Sequence, residues 1–303
     1  MLDYLIGITG RRIVSGIHNR EPNARPSLQT TQAVKLIGRQ PALWSGDFLF
    51  KADDINARWA MIYECRNQWE KGSLVNLMFH VSPPNQTEAC EWNGGVLSRL
   101  SDDEWTDLTT EGGVINRQWK TRLDEYAKYL HYLKNNGVQV LFRPFHEMNQ
   151  GKFWWGGRPG ANGTARLYRL TRDYLVGTHA LTNLVWVWDM QDLSRDFAAY
   201  DPGRHYWDIF AFDIYADGYD DSWYQYVLQI VGNKPMAIGE CARLPTPGIL
   251  RAQPRWCFFM SWAELTFTEN TPGEIQNLYR DPSVVTLEQL PRFGKREDRR
   301  IQG

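Results

Sequence analysis

No CxxC pair occurs among the four cysteines of this 303-residue chain, Cys65, Cys90, Cys241 and Cys257, which argues against a structural zinc site. Positive charge is nowhere concentrated. Thirty-four Lys and Arg stand against 35 Asp and Glu, and the one basic run is the tail GKREDRR. A nucleic-acid partner calls for a basic face, so that class is set aside. No uninterrupted apolar stretch approaches membrane-spanning length, so no membrane partner is expected. The first residues, MLDYLIGITGRR, lack the basic, apolar and small-residue order of a signal peptide. Either the protein is cytoplasmic or a signal was removed. The expectation adopted is a secreted protein whose signal peptide is absent from this chain. No internal repeat, low-complexity tract or Gly/Ser linker divides the sequence, so residues 1–303 read as one catalytic domain.

Aromatic residues are plentiful. Fourteen tryptophans lift the aromatic share to 14%. They either fill a ring-rich core or offer flat faces to a ligand such as a pyranose, and composition does not choose. Cys65 and Cys90 flank one expected strand beside polar loop sequence, and a disulfide between them is expected in a secreted protein. Cys241 and Cys257 lie in or next to apolar strands and read as buried small hydrophobes.

A short apolar run, a loop and a helical pattern recur along the chain. The runs are RIVSGIHN, QPALWSGDF, GSLVNLMFH, VQVLFRPFHE, NLVWVWDMQD, DIFAFDIY, KPMAIGE and RWCFFMSWAE. Most are continuously apolar, as strands covered on both faces are. Between Asn116 and Asn136, Trp119, Leu123, Tyr126, Leu130 and Leu133 recur at helical spacing, with Gly137 as the stop. Ser101 and Glu104 have capping-box spacing. Eight strands with crossover segments predict an α/β fold, a single (β/α)8 TIM barrel. A doubly wound sheet is the runner-up, but the Gly-rich first turn it favours is missing.

Polar residues gather at one end of these runs: His18, Asp47, His80, Glu147, Asp189, Asp213, Tyr215, Glu240 and Trp262. In a barrel those ends converge on the face that carries the chemistry. Glu147 and Glu240 end strands four and seven and so face each other across the mouth. Two opposed carboxyl groups suit glycoside hydrolysis, one protonated to serve the departing oxygen and one ionised to attack or activate water. A single glutamate ending a strand is more often structural, and Arg143, on the strand that carries Glu147, is a natural partner for it. Two glutamates in matching contexts weigh against that plainer reading.

RPFHEMN followed by FWWG, then FDIY, AIGE and FMSWAE, together resemble glycoside hydrolase family 26, best known as endo-β-1,4-mannanases. The resemblance runs from about Ile13 to Phe293. It implies that Glu147 is the general acid/base and Glu240 the nucleophile of a configuration-retaining double displacement. It also implies that His146 contacts the sugar being cleaved, that Tyr215 hydrogen-bonds the nucleophile, and that Asp213 is a carboxylate companion. His80, ending LMFH, would contact the sugar on the non-reducing side, and Trp262 would lie beneath that sugar. Trp154 and Trp155 of the aromatic run are expected to bind substrate as well. The spacing of Asp213 and Tyr215 places both on one strand face. A tyrosine donor on Glu240 favours its ionised form. The chain departs from the family where many members have a tryptophan just before FWWG. Lys152 stands there, either donating to sugar hydroxyls or pointing into water.

The resemblance implies a substrate of mannan, glucomannan or galactomannan, with manno-oligosaccharides as partners. Mixed-linkage β-glucan or β-1,3-xylan are same-family alternatives, and a barrel that binds carbohydrate without cleaving it is the reading from another class. Two carboxylates need no cofactor, and the histidine spacing suggests no metal. A monomer is expected.

Overall fold

The computed structural model describes residues 1–293; the basic tail GKREDRR lies outside the described residues. Eight parallel strands follow one another around a closed barrel: β1 Ile13–His18, β2 Leu43–Asp47, β3 Leu74–Met78, β4 Val140–Arg143, β5 Leu184–Gln191, β6 Ile209–Ile214, β7 Met236–Cys241 and β8 Trp256–Ser261. Closure is explicit in the pairing, with Val14 opposite Phe258 and Gly16 opposite Leu43, so β1 is bonded to both β8 and β2. A two-residue strand, Val284–Val285, lies alongside the start of β1. The expected (β/α)8 barrel is the observed architecture, and each of the eight apolar runs marks one strand, β7 reaching one residue past its run. Helices fill the crossovers, except between β5 and β6, where the helical structure is the single 3-10 turn Phe197–Tyr200.

Every residue of the eight strands is buried, which explains why the runs are apolar throughout rather than alternating. Alternation survives as a division between two cores. Val185, Val187, Ile209, Ala211, Leu141 and Ala237 belong to a cluster inside the barrel, which Leu5 of the helix Leu2–Ile8 also joins. Trp186, Trp188, Phe210, Phe212 and Phe142 belong to the larger cluster between sheet and helices. Small and branched side chains suit the narrow interior, and large rings fill the outer layer. Within the described residues, no helix is long and apolar enough to cross a membrane.

The helix carrying the Trp119–Leu133 stripe spans Val114–Asn135, two residues longer at its start than the periodicity predicts. All five stripe residues are buried. Its chain reversal uses Gly137 at φ +70°, a conformation with little cost for glycine. The Ser101 capping box is present, with Glu104 returning a 2.7 Å hydrogen bond from the Ser101 amide.

The expected disulfide is not formed; all four thiols are free. Cys65 does not border a loop. It sits inside the helix Arg58–Lys71 and is fully buried against the sheet, where the helical period, not a polar turn, fixes its direction. Cys90 belongs to a separate tight loop and packs over Gly95, whose absent Cβ would fall 2.6 Å from the sulfur.

Candidate active site

Period two along the strands carries the inner face from apolar to charged. Val185 and Val187 lead to Asp189, Ile209 and Ala211 lead to Asp213, and Leu141 leads to Arg143. These three charged residues, with Glu240 from β7, form one buried cluster at the C-terminal end of the barrel. Arg143 donates through Nη1 to Asp189 Oδ2 at 2.6 Å and to Asp213 Oδ2 at 2.9 Å, and through Nη2 to Glu240 Oε1. A register shift at Phe212/Asp213 sets Glu240 directly opposite Asp213. The cluster fits because residue 239 is glycine. A Cβ there would lie 2.5 Å from Asp213 Oδ1 and 2.6 Å from Asp189 Oδ2. Arg143 is therefore the partner of Glu240, not of Glu147 as its strand position suggests.

Glu147 arrives differently. β4 ends at Arg143, and the next four residues leave the sheet with Phe145 at φ +54° and Glu147 at φ +51°. Non-glycine residues seldom adopt this left-handed region, and holding one there needs support from around it. Asp189 supplies that support: its Oδ1 accepts the Glu147 amide at 2.7 Å and its backbone carbonyl accepts the Met148 amide at 3.3 Å. The turn carries Glu147 over the cluster. One oxygen each from Glu147, Asp213 and Glu240 lies within 4.8 Å of the others, a tighter acidic grouping than any other among the described residues. Such a set has the donors to hold a cation, yet two of the three already accept from Arg143.

The environments of the two glutamates differ. Glu240 accepts from Arg143 and, through Oε2, from the Tyr215 hydroxyl at 2.6 Å. Glu147, 3% exposed, accepts at Oε2 from Gln150 Nε2 at 2.9 Å, and its nearest cation is Lys152 Nζ at 3.5 Å from the same oxygen. Burial, then the charge of Glu240, pushes the Glu147 carboxyl up from 4.5 to about 7. Burial also raises Glu240, but Arg143 and the Tyr215 hydrogen bond oppose it. Asp213 is raised well above the usual carboxylate range, first by burial and then, against the pull of Arg143, by Asp189 and Glu240. Glu147 is thus held toward its protonated form, while Arg143 and Tyr215 give Glu240 the contacts that favour its charged form.

The histidines and rings form a wall beside this pair. His80 is clamped by Asp47, whose Oδ2 contacts His80 Nδ1 at 2.5 Å and whose Oδ1 accepts the His80 amide at 3.0 Å. Burial would raise Asp47, but its contact with His80 outweighs that and lowers it. The His80 ring stands 4.4 Å from the ring of His146. Burial holds His146 neutral, well below its ordinary range, and its Nδ1 is buried without a hydrogen-bond partner. Trp262 stacks on His18 at 4.3 Å and 17°, and His18 is itself pushed down to about 3 by burial. His80 and Trp262 line a cavity of about 250 Å³ together with Asp47, Arg20, Lys51 and Trp92.

Seven of the nine sequence-predicted residues meet at this mouth: Glu147, Glu240, His80, His146, Asp213, Tyr215 and Trp262. Trp154 and Trp155 do not reach it. Both are fully buried, with Trp154 Nε1 donating to the Val81 carbonyl at 2.8 Å and Trp155 Nε1 to the His146 carbonyl at 3.0 Å. With no face open to a ligand, they brace the His146 turn from behind. Asp213, also fully buried, reaches the site through Arg143. Lys152 neither reaches away into water nor stands free; it turns back toward Glu147. Trp92, 37% exposed on the cavity wall, escaped the sequence reading. It sits in the loop after β3, and only its aromatic identity beside Gly94 and Gly95 hinted at a surface role.

Residues 1–289 match the model of glycosyl hydrolase family 26. Among curated proteins, mannan endo-1,4-beta-mannosidase A and B of Caldalkalibacillus mannanilyticus is 30% identical over 302 residues, covering 91% of this chain and 57% of that protein. The mannan endo-1,4-beta-mannosidase of Thermothelomyces thermophilus is 29% identical, covering 96% and 60%. The chain thus spans roughly three-fifths of these relatives' length. Among solved structures, GH26A from Muricauda sp. superposes with a TM-score of 0.91 at 33% identity, covering 96% of each chain. A beta-mannanase from a symbiotic protist of the termite Reticulitermes speratus, complexed with gluco-manno-oligosaccharide, shares the fold at a TM-score of 0.82 and 23% identity, covering 95% of this chain and 92% of that one. With its whole barrel matched, the chain belongs to glycosyl hydrolase family 26.

Proposed function

We propose that the protein is a retaining endo-β-1,4-mannanase that hydrolyses mannan, glucomannan or galactomannan backbones. The observation that carries this reading is that one carboxylate oxygen of Glu147 and one of Glu240 lie within 4.8 Å of each other across the barrel mouth, with Glu147 raised to about 7 and Glu240 held by Arg143 and Tyr215. Retaining glycosidases hold their carboxyl groups about 5–5.5 Å apart, whereas inverting ones leave room for a water at roughly 6.5–9.5 Å. The curated relatives that cleave mannan supply the substrate class.

In this reading, Glu240 attacks the anomeric carbon while Glu147 gives its proton to the glycosidic oxygen, and the C–O bond to the leaving sugar breaks. Oε2 of Glu147 is engaged by Gln150, which leaves Oε1 to deliver the proton. Water then attacks the glycosyl ester; its proton returns to Glu147 and Glu240 is released as a carboxylate. Tyr215 and Arg143 hold Glu240 in its charged form and fix its aim. His80, His146 and Trp262 form the wall for the sugar on the attacked side. Its partners are the polysaccharide and the manno-oligosaccharides it releases. The site is complete within one chain, which supports action as a monomer, and a polymeric substrate supports a location outside the cell.

Glu240→Ala should abolish turnover of mannan, measured by reducing-sugar release, while the circular-dichroism spectrum and cooperative unfolding persist. Near-wild-type turnover in that variant would eliminate the mechanism.

A further inference from the structure

Lys152 occupies a place with no role so far. Its side chain is 43% exposed, its Nζ lies 3.5 Å from Glu147 Oε2, and it rests 4.8 Å over the Phe153 ring. The Phe153 contact favours a cation on the ring face and helps to keep the flexible side chain on this side of the loop. It also forms the one ion pair to Glu147 among the described residues. The other groups around Glu147 are Glu240 from β7, Asp213 from β6 with Tyr215 just beyond it, Asp189 from β5, Arg143 from β4, neutral His146, and Gln150. Arg143 is engaged by Asp189, Asp213 and Glu240, and the charges of Glu240 and Asp189 oppose charge on Glu147. Lys152 is the counterweight.

We propose that Lys152 is a positioning residue of the acid/base cycle: its ammonium stabilises the carboxylate that Glu147 becomes on protonating the leaving sugar and must be again to activate water. The inference rests on Glu147 being the acid/base. No new bond or redox change is involved: one proton leaves Glu147 for the glycosidic oxygen and one returns from water.

In the first step Glu147 must be protonated, so kcat/KM falls on the alkaline side as it ionises. In the second step it must be ionised, so turnover falls on the acid side as it is protonated. Removing the neighbouring cation makes ionisation harder and moves both limbs to higher pH. A pair at this distance, with Glu147 buried but Lys152 43% exposed and screened by water, supports a shift of roughly half a pH unit.

The experiment compares the wild type, Lys152→Ala, Lys152→Arg and Glu147→Ala. Manno-oligosaccharide hydrolysis reports kcat/KM, and a 2,4-dinitrophenyl β-mannobioside, whose leaving group needs no proton, reports the second step through kcat. Lys152→Ala should raise the alkaline limb of the first and the acid limb of the second together, and Lys152→Arg should restore both. A purely structural role would lower rates without moving both limbs. Unmoved limbs in Lys152→Ala overturn the proposal. Glu147→Ala separates the two failures. If it loses oligosaccharide hydrolysis but still releases dinitrophenolate in a burst, the acid/base assignment stands and only Lys152 is refuted. If it hydrolyses oligosaccharides normally, the assignment itself falls.

Discussion

Replacing Tyr215 by Phe isolates one contribution to the charge state of Glu240, the proposed nucleophile. The hydroxyl donates to Glu240 Oε2 at 2.6 Å, while Arg143 continues to hold Oε1. A hydrogen bond to a charged group contributes about 1.5–3 kcal/mol, and 1.36 kcal/mol corresponds to one pKa unit or a factor of ten. The donor favours the ionised form of Glu240, so removing it raises that group by about 1–2 units. The acid limb of kcat/KM should move up by the same amount, with a loss of roughly 10- to 150-fold at mildly acidic pH. Tyr215 is 37% exposed and its ring stays in place when the hydroxyl is removed, so the fold should persist. The assay is kcat/KM for a manno-oligosaccharide from pH 4 to 8, with thermal unfolding measured alongside. A uniform loss of activity with the acid limb unmoved would refute the reasoning, because it would mean that Tyr215 touches substrate without tuning Glu240.

Gly239→Ala should collapse activity and lower stability. The new methyl would sit within 2.6 Å of two carboxylate oxygens that Arg143 needs, and overpacking of this kind costs about 1–3 kcal/mol or more. The denaturant midpoint measures it, and a variant of wild-type stability and activity would contradict the cluster's geometry. Glu147→Gln should remove a pH dependence of stability. A carboxyl raised in the folded state from 4.5 to about 7 contributes stability that is fully present below pH 4.5 and is lost as pH rises through about 7, of the order of 3 kcal/mol. Wild-type minus variant unfolding free energy should therefore fall across that window, and a flat difference would sink the assignment of the proton to Glu147.

Much of the site was legible because the strands of a barrel end on one face. Asp189 and Asp213 close apolar runs whose ends meet on one face of a barrel, so their place at the mouth could be read from the chain alone. Glu147 was found because it closes the fourth apolar run, but it was placed at the strand end, whereas the strand stops at Arg143 and a left-handed turn that no hydrophobic pattern reports carries the carboxylate over the mouth. Arg143 was given the wrong partner, because proximity along one strand says nothing of which neighbouring strand its guanidinium will face. Trp154 and Trp155 carry the same letter as Trp262 and Trp92 but point into the core, and residue type cannot distinguish a ring lining a cavity from a ring packed inside the protein. The cysteines failed for a related reason. Cys65 lies in a helix whose polar flanks imitate a loop, so that its burial is visible only once the helix is docked.

The knot of charge at Arg143 also determines how the molecule divides. The guanidinium is contributed by the fourth strand and all three of its carboxylates by the fifth, sixth and seventh. A backbone cut after the fourth strand would strand an uncompensated cation in one fragment and a crowd of anions in the other, leaving neither half able to close over its own polar layer. The halves would attract each other before any sugar arrives. Regaining hydrolysis would then require both fragments in one solution, making the enzyme's chemistry a direct reporter of whether its barrel has been joined.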